Sequence, residues 1–221
     1  MSGKITNKSM KINLTEVQLD ILKELGNIGS GHAITALSDL LNKKIEVSLT
    51  SADINLFWKV PEMFNNHNKE VVVIYSEIPF NSDLTIIQIF SKKTVINLIN
   101  LLSEFKKSAD NISNINDLDD FSYSIIYEIG NILSGHYASA LADLLSIKLM
   151  LNVPKIAIDS LNAILEGIIA KYSQVSDYII TINTGLKILD INLEGTICFI
   201  PPTEILVSLF EILNINYEME L

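Results

Sequence analysis

The chain has 221 residues, 48% of them hydrophobic, with a net charge of −10 and a pI near 4.7. Such a chain can bury a sizeable core, and its acidic balance argues against nucleic-acid or anionic-membrane binding, for which a basic patch supplies most of the affinity. A single cysteine, Cys198 in "GTICFIP", excludes a disulfide framework, no apolar run reaches the ~18–20 residues that span a bilayer, and the opening "MSGKITNKSMKIN" lacks the apolar core of a signal peptide, so cytoplasmic residence without membrane insertion is expected.

In chain order, residues 1–13 are expected to be a flexible tail. Thr15 and Gln18 form a capping box that starts a first helix running to about Asn42. Strands are expected over Ile45–Leu56, Val71–Ser76 and Thr85–Phe90, with an irregular apolar segment at Leu56–Phe64 broken by Pro61. A helix follows at Lys92–Phe105. The polar stretch Lys106–Asp120 joins two halves, about 14–105 and 119–221. A second long helix begins at the acidic Asp117–Asp120, where negative charge favours an N-terminus, and runs to about Leu145. Strands are then expected over Lys148–Ile158, Tyr178–Thr184 and Gly195–Ile200, and helices over Ser160–Ser173 and Pro202–Leu213.

The two long helices are copies of one another. Asp20–Val47 and Ser124–Leu151 align without a gap, and about half the positions are identical. Glu24 matches Glu128, Asn27 matches Asn131 and His32 matches His136. Each half has too few strands to form a covered sheet alone. The expected fold is therefore α+β: one mixed or antiparallel sheet, with two long helices packed about a pseudo-two-fold axis in a single domain spanning 14–221.

The repeated stretch reads "ELGNIGSGHA" in the first copy and "EIGNILSGHY" in the second. A phosphate cradle needs glycines between a strand and a helix N-terminus. Here the glycines fall well inside a helix, no strand precedes them, and Gly29 becomes Leu133. Small residues at four-residue spacing, Gly26 with Ser30 and Gly130 with Ser134, suit a seam where the long helices approach closely. That role leaves the repeated polar residues unexplained. Asp20, Glu24, Asn27 and Gly31 fall at i, i+4, i+7 and i+11, one stripe of a helix, and Ser124, Glu128, Asn131 and Gly135 form the same stripe. Such a stripe is either a solvated face, an asparagine bonded to a neighbouring helix, or a surface that enters another protein's active site. An asparagine can orient water with one acceptor and two donors, and a carboxylate three residues earlier can pair with a cation or serve as a base. No Ser–His or Cys–His pair is present in the stripe. An orienting amide suits hydrolysis dominated by positioning, such as phosphoryl transfer.

His32 and His136 lie eight residues after the glutamates, about 80° around the helix from them, and are expected to be packed or surface-bonded rather than metal ligands. Asp39 and Asp143 are expected near helix ends or between the helices. His67 falls in a polar loop, and Trp58 beside Pro61 is expected in the core. Cys198 is expected to be a buried, inert thiol.

The spacing Asp/Ser, three residues, Glu, two residues, Asn, then about twenty-two residues and Pro resembles the signature of the CheC/CheX/FliY phosphatases of bacterial chemotaxis. The second copy carries it in full at Ser124, Glu128, Asn131 and Pro154; the first has Asp20, Glu24 and Asn27, with Thr50 in place of the proline. The two-copy arrangement is most similar to the CheC branch. The resemblance implies a protein phosphatase acting on the phosphoaspartate of the response regulator CheY. In it, Asn27 and Asn131 would orient water, and Glu24 and Glu128 would pair with the regulator's lysine. It implies no cofactor or metal on this chain, with Mg²⁺ carried by the regulator, and CheD as a further partner. The alternative is a non-catalytic adaptor that holds CheD or phosphorylated CheY.

Overall fold

The structure, a computed structural model, describes residues 15–41, 44–56, 69–79, 83–106, 115–172, 178–188 and 191–214. In chain order the elements are α1 (Glu16–Leu41), β1 (Ile45–Leu56), β2 (Glu70–Ile78), β3 (Leu84–Ser91), α2 (Lys92–Lys106), a 3-10 turn (Ile115–Asp117), α3 (Asp120–Leu145), β4 (Lys155–Ser160), α4 (Leu161–Tyr172), β5 (Tyr178–Ile188), β6 (Ile191–Ile200) and α5 (Thr203–Ile212). The predicted tail, most of the linker, Trp58, Pro61 and His67 lie outside the described residues.

Both long helices start where their caps dictate. Thr15 N donates to Gln18 Oε1 at 2.8 Å and Gln18 N to Thr15 Oγ1 at 3.4 Å, the reciprocal capping box. Gln18 Nε2 also donates to Asn214 O at 3.1 Å, which ties the start of α1 to the end of α5. In α3 the Asp119 carboxylate accepts from Ser122 N at 2.8 Å and Ser122 Oγ at 2.6 Å. That helix ends where Ser146 turns left-handed at φ 54°.

The six strands form one sheet in the order β1-β5-β6-β3-β2-β4, every pair antiparallel. Exchanging the halves (β1 for β4, β2 for β5, β3 for β6) reverses this order onto itself. The sheet therefore has a pseudo-two-fold between β6 and β3. It is also interleaved: β1 pairs with β5 of the second half, and β4 with β2 of the first. The halves exchange their first strands, so neither carries its own edge.

The central strands are buried on both faces, which explains their nearly unbroken apolar runs "EVVVIYSEI" and "LTIIQIFS". Val72, Ile74 and Phe90 point to the face covered by α1, α2 and α3, while Ile180, Ile197 and Phe199 join α1, α3 and α5. Val71, Val73, Ile87 and Ile89 point to the opposite face, where α4 packs through Leu161, Leu165 and Tyr172. Leu22 and Leu37 of α1 are 0% and 1% exposed, and each such leucine contributes about 1.5–3 kcal/mol by burial.

Two expectations are corrected. The strand expected over Lys148–Ile158 begins only at Lys155. Pro154 has no N–H to give to a ladder, and the chain before it leaves the sheet after one bond, Asn152 N to Glu77 O at 2.9 Å. In the first half the aligned Thr50 sits inside a 12-residue β1, at a bulge where the register steps from Leu49↔Thr184 to Ser51↔Asn183.

The small-residue seam also differs from expectation. In the second copy it faces the sheet, not the other helix. A Cβ on Gly130 would lie 2.6 Å from Ile74 Cγ2, and Ser134 Oγ accepts from Gln88 Nε2 at 2.6 Å and from Ser76 Oγ at 3.1 Å. The close helix approach falls instead to Gly29, where a Cβ would lie 2.7 Å from Tyr137 Cδ1. The symmetry-related positions are Leu133 and Ala33, which share one core cluster. A large residue thus faces a small one at both crossings, with the sizes exchanged between helices.

Candidate functional site

On each long helix the core claims one side. Leu22, Leu25, Gly26, Gly29, Ser30 and Ala33 are buried on α1, and Ile125, Ile126, Ile129, Gly130, Leu133 and Ser134 on α3. The helical period then forces the intervening stripe outward. Asp20, Glu24, Asn27 and Gly31 are all exposed, as are Ser124, Glu128 and Asn131, with Gly135 half-buried.

The flanks of the stripes are engaged locally. Lys23 Nζ pairs with Asp20 at 3.0 Å, an exposed bridge between neighbours on the helix that contributes little to stability. Ser124 Oγ donates to Phe121 O at 2.7 Å. Among the described residues, no hydrogen bond or ion pair holds the side chains of Glu24, Asn27, Glu128 or Asn131. This removes one reading of the asparagines, a bond to a neighbouring helix. Each stripe offers a free carboxylate and a free amide, three residues apart on a rigid 26-residue helix. That pair can accept a cation and orient a water molecule, but holds no nucleophile.

Pro154 is buried at the start of β4, beyond the loop 147–154. The loop lies against α3: Leu151 Cδ1 is 4.0 Å from where a Cβ on Gly135 would stand, one helical turn past Asn131. The proline thus sits where the chain leaves this loop for the sheet. In the first copy the equivalent stretch stays in β1.

The two repeated histidines meet each other. Their ring centroids lie 6.0 Å apart with the planes inclined by 69°. Equivalent residues in contact mark the point where the pseudo-axis passes between α1 and α3. His136 is half-buried, and its pKa is lowered from 6.5, first by loss of solvent and then by the neighbouring His32. Asp39 and Asp143 are exposed and make no bond between the helices among the described residues. Cys198 is buried and its thiol is pushed up to about 12 by desolvation, which makes it inert. Among the described residues, no group of three or more His, Cys, Asp or Glu side chains could hold a metal ion, and no helix is long and apolar enough to cross a membrane.

The model of the CheC-like family matches residues 17–48 and 121–158, which are the two copies. The chain is 32% identical over 180 residues to the CheY-P phosphatase CheC of Bacillus subtilis (strain 168), covering 78% of this chain and 81% of that protein. It is 26% identical over 144 residues to the flagellar motor switch phosphatase FliY of the same organism, covering 65% of this chain but 36% of that longer protein. The crystal structure of Thermotoga maritima FliY superposes with a TM-score of 0.68 at 20% identity, over 91% of this chain and 98% of that one, which shows a shared fold.

Proposed function

The chain belongs to the CheC-like family, and we propose that it is a phosphatase that hydrolyses the phosphoaspartate of a CheY-type response regulator. The observation that carries this is the pair of exposed stripes. Among the described residues no hydrogen bond or ion pair engages the side chains of Glu24, Asn27, Glu128 or Asn131, yet the sequence repeats them in both copies. The name of the Bacillus relative, a CheY-P phosphatase at 32% identity over most of both chains, supports the same reading.

In this mechanism the regulator supplies the phosphoryl group, its Mg²⁺ and a lysine. The chain inserts a helix face. Glu128 pairs with the lysine and fixes the docking geometry. Asn131 accepts a hydrogen bond from the attacking water through its amide oxygen and donates to the phosphoryl group through its nitrogen. Water attacks phosphorus in line, the aspartate carboxylate leaves, and inorganic phosphate is released. An amide cannot remove a proton, and a loose phosphoryl-transfer transition state does not require early proton removal. Positioning provides the acceleration. Glu24 and Asn27 act likewise on the first helix.

The test is the decay of phosphorylated regulator, charged from a small phosphodonor, with and without the protein. Wild type should accelerate the decay. Asn131→Ala should reduce it at least as much as Asn27→Ala, and the double change should abolish it. No acceleration by wild type refutes the enzyme; regulator or CheD binding in that case would leave an adaptor. Acceleration that survives the double change refutes the mechanism.

A further inference from the structure

Among the described side chains, seven large apolar residues are exposed: Val17, Ile28, Tyr123, Tyr127, Met150, Val153 and Ile212. Scattered singly, such residues need no explanation. Four of the seven, however, lie either beside the second stripe on α3 or in the loop that reaches its end. Tyr123 and Tyr127 stand one residue before Ser124 and Glu128, with i, i+4 spacing, so they form a row alongside the stripe. They are 37% and 38% exposed. Met150 and Val153, 81% and 77% exposed, belong to the loop 147–154 that reaches the other end of the stripe through Leu151 and Gly135. The loop is anchored by Ile147 N to Ala142 O at 3.0 Å and Asn152 N to Glu77 O at 2.9 Å.

The first copy carries different residues at these positions. In the gapless alignment Tyr123, Tyr127, Met150 and Val153 match Leu19, Lys23, Glu46 and Leu49. Leu19 is half-buried, Lys23 pairs with Asp20, and Lys44 bonds Glu46 at 3.0 Å. On this flank the border of the first stripe is therefore partly charged; the exposed apolar residues of α1, Val17 and Ile28, lie on its other flank, three residues before Asp20 and one after Asn27. The chain also runs differently: without the proline, β1 continues as strand through Thr50, whereas 147–154 leaves the sheet.

We propose that Tyr123, Tyr127, Met150 and Val153 form an apolar rim that docks the receiver domain of the response regulator onto the second stripe, and that the first stripe lacks this rim. The inference rests on the reading of the stripes as phosphatase sites. The occupant follows from continuity. Whatever brings its phosphoryl group to Asn131 must cover the residues that flank Ser124, Glu128 and Gly135. Tyrosine combines a large apolar area with a hydroxyl that tolerates water, which suits a surface exposed between encounters.

The test uses the full chain in an Asn27→Ala background, so that only the second stripe works. Tyr127→Lys and Met150→Glu install the first copy's residues at exposed positions. Together they should raise KM for the phosphorylated regulator by about tenfold, as loss of an aromatic anchor does, while kcat stays within about twofold. The affinity for beryllofluoride-activated regulator, read calorimetrically, should fall by the same factor. Ile212→Ser, an exposed apolar residue on α5, should change neither. The reciprocal Lys23→Tyr, in an Asn131→Ala background, should lower KM at the first stripe. Active parent protein with unchanged KM and affinity in the rim variants overturns the rim but leaves the phosphatase standing. An inactive parent overturns the phosphatase, and the binding isotherms then decide the rim alone. A dimer in sedimentation equilibrium that Tyr127→Lys dissociates, with regulator affinity unchanged, assigns the rim to a second copy and overturns the proposal.

Discussion

Gly31 is the sharpest test of the stripe, because nothing inside the protein requires it to be glycine. It lies in the interior of α1, and no glycine among the described residues has positive φ. A Cβ built at Gly31 meets no atom within 4 Å. Glycine at such a position costs about 1 kcal/mol relative to alanine. Gly31→Ala should therefore raise stability by about 1 kcal/mol, read as a higher urea midpoint at unchanged slope. Gly31 is also the last member of the stripe, one turn beyond Asn27. If its empty volume admits the regulator, the added methyl will hold the partner away from Asn27. About 1 Å of displacement costs up to two orders of magnitude in a positioning reaction. In an Asn131→Ala background, Gly31→Ala should thus slow dephosphorylation by about tenfold or more. Gly167 on α4 supplies the control, since it also meets no atom within 4 Å and lies on a helix packed against the other face of the sheet. Gly167→Ala should gain similar stability and leave the rate alone. Gly29→Ala should behave oppositely, because its Cβ would press on the buried Tyr137 ring at 2.7 Å and overpacking of about 1–3 kcal/mol outweighs the helix gain. A stabilised Gly31→Ala protein that dephosphorylates the regulator at the parent rate would refute the clearance argument. A destabilised one would refute the packing on which it stands.

Glu77 on β2 binds Lys171, Lys155 and the Tyr172 hydroxyl, and these bonds, led by that from Lys171, lower its pKa from 4.5 to about 2. A depressed carboxylate contributes stability that is present above the unfolded value of 4.5 and is lost as pH falls towards 2. Glu77→Gln should lose about 1–2 kcal/mol at pH 7, less than the full shift implies because both lysines are half exposed, and should flatten the acid limb of a pH series of urea melts. His136 has the corresponding sign one range higher: its folded pKa lies below 6.5 through desolvation and His32, so stability should drop as pH falls below 6.5, and His136→Gln should remove that part of the slope. Gln88 is fully buried, and its Oε1 has no hydrogen-bond partner among the described residues. Gln88→Met removes that orphan at similar volume but deprives Gly130 O and Ser134 Oγ of the Nε2 donor and should cost about 1–3 kcal/mol, whereas Gln88→Ala, which adds a cavity, should cost more, up to about 5 kcal/mol; both are read by urea melts.

Local signals in the sequence carried the helices, their caps and the stripes, because i, i+4, i+7 spacing and a capping box act within a few residues of one another. Pairing between distant strands has no such local signal. "KLMLNVPKIAI" alternates well enough to read as one strand, and only the partner shows that it is not. β4 has ladder contacts from Lys155 onward, and Pro154 has no N–H with which to extend them. The same physics changes the meaning of Thr50. In sequence it is a missing signature residue. In the fold it is the residue left out of the pairing at a bulge inside a β1 that runs on to Leu56, so the first copy releases no loop at this point of the chain. The small residues show the same limit. Gly130 and Ser134 announce a close approach but do not name the neighbour, which is Ile74 and Gln88 of the sheet. The close approach of the helices falls to Gly29 and Tyr137, and their counterparts Leu133 and Ala33 invert the sizes. Duplication followed by such exchanges lets two helices with the same outward stripe pack on non-identical inner surfaces. The stripes can then stay alike while the borders that select a partner diverge.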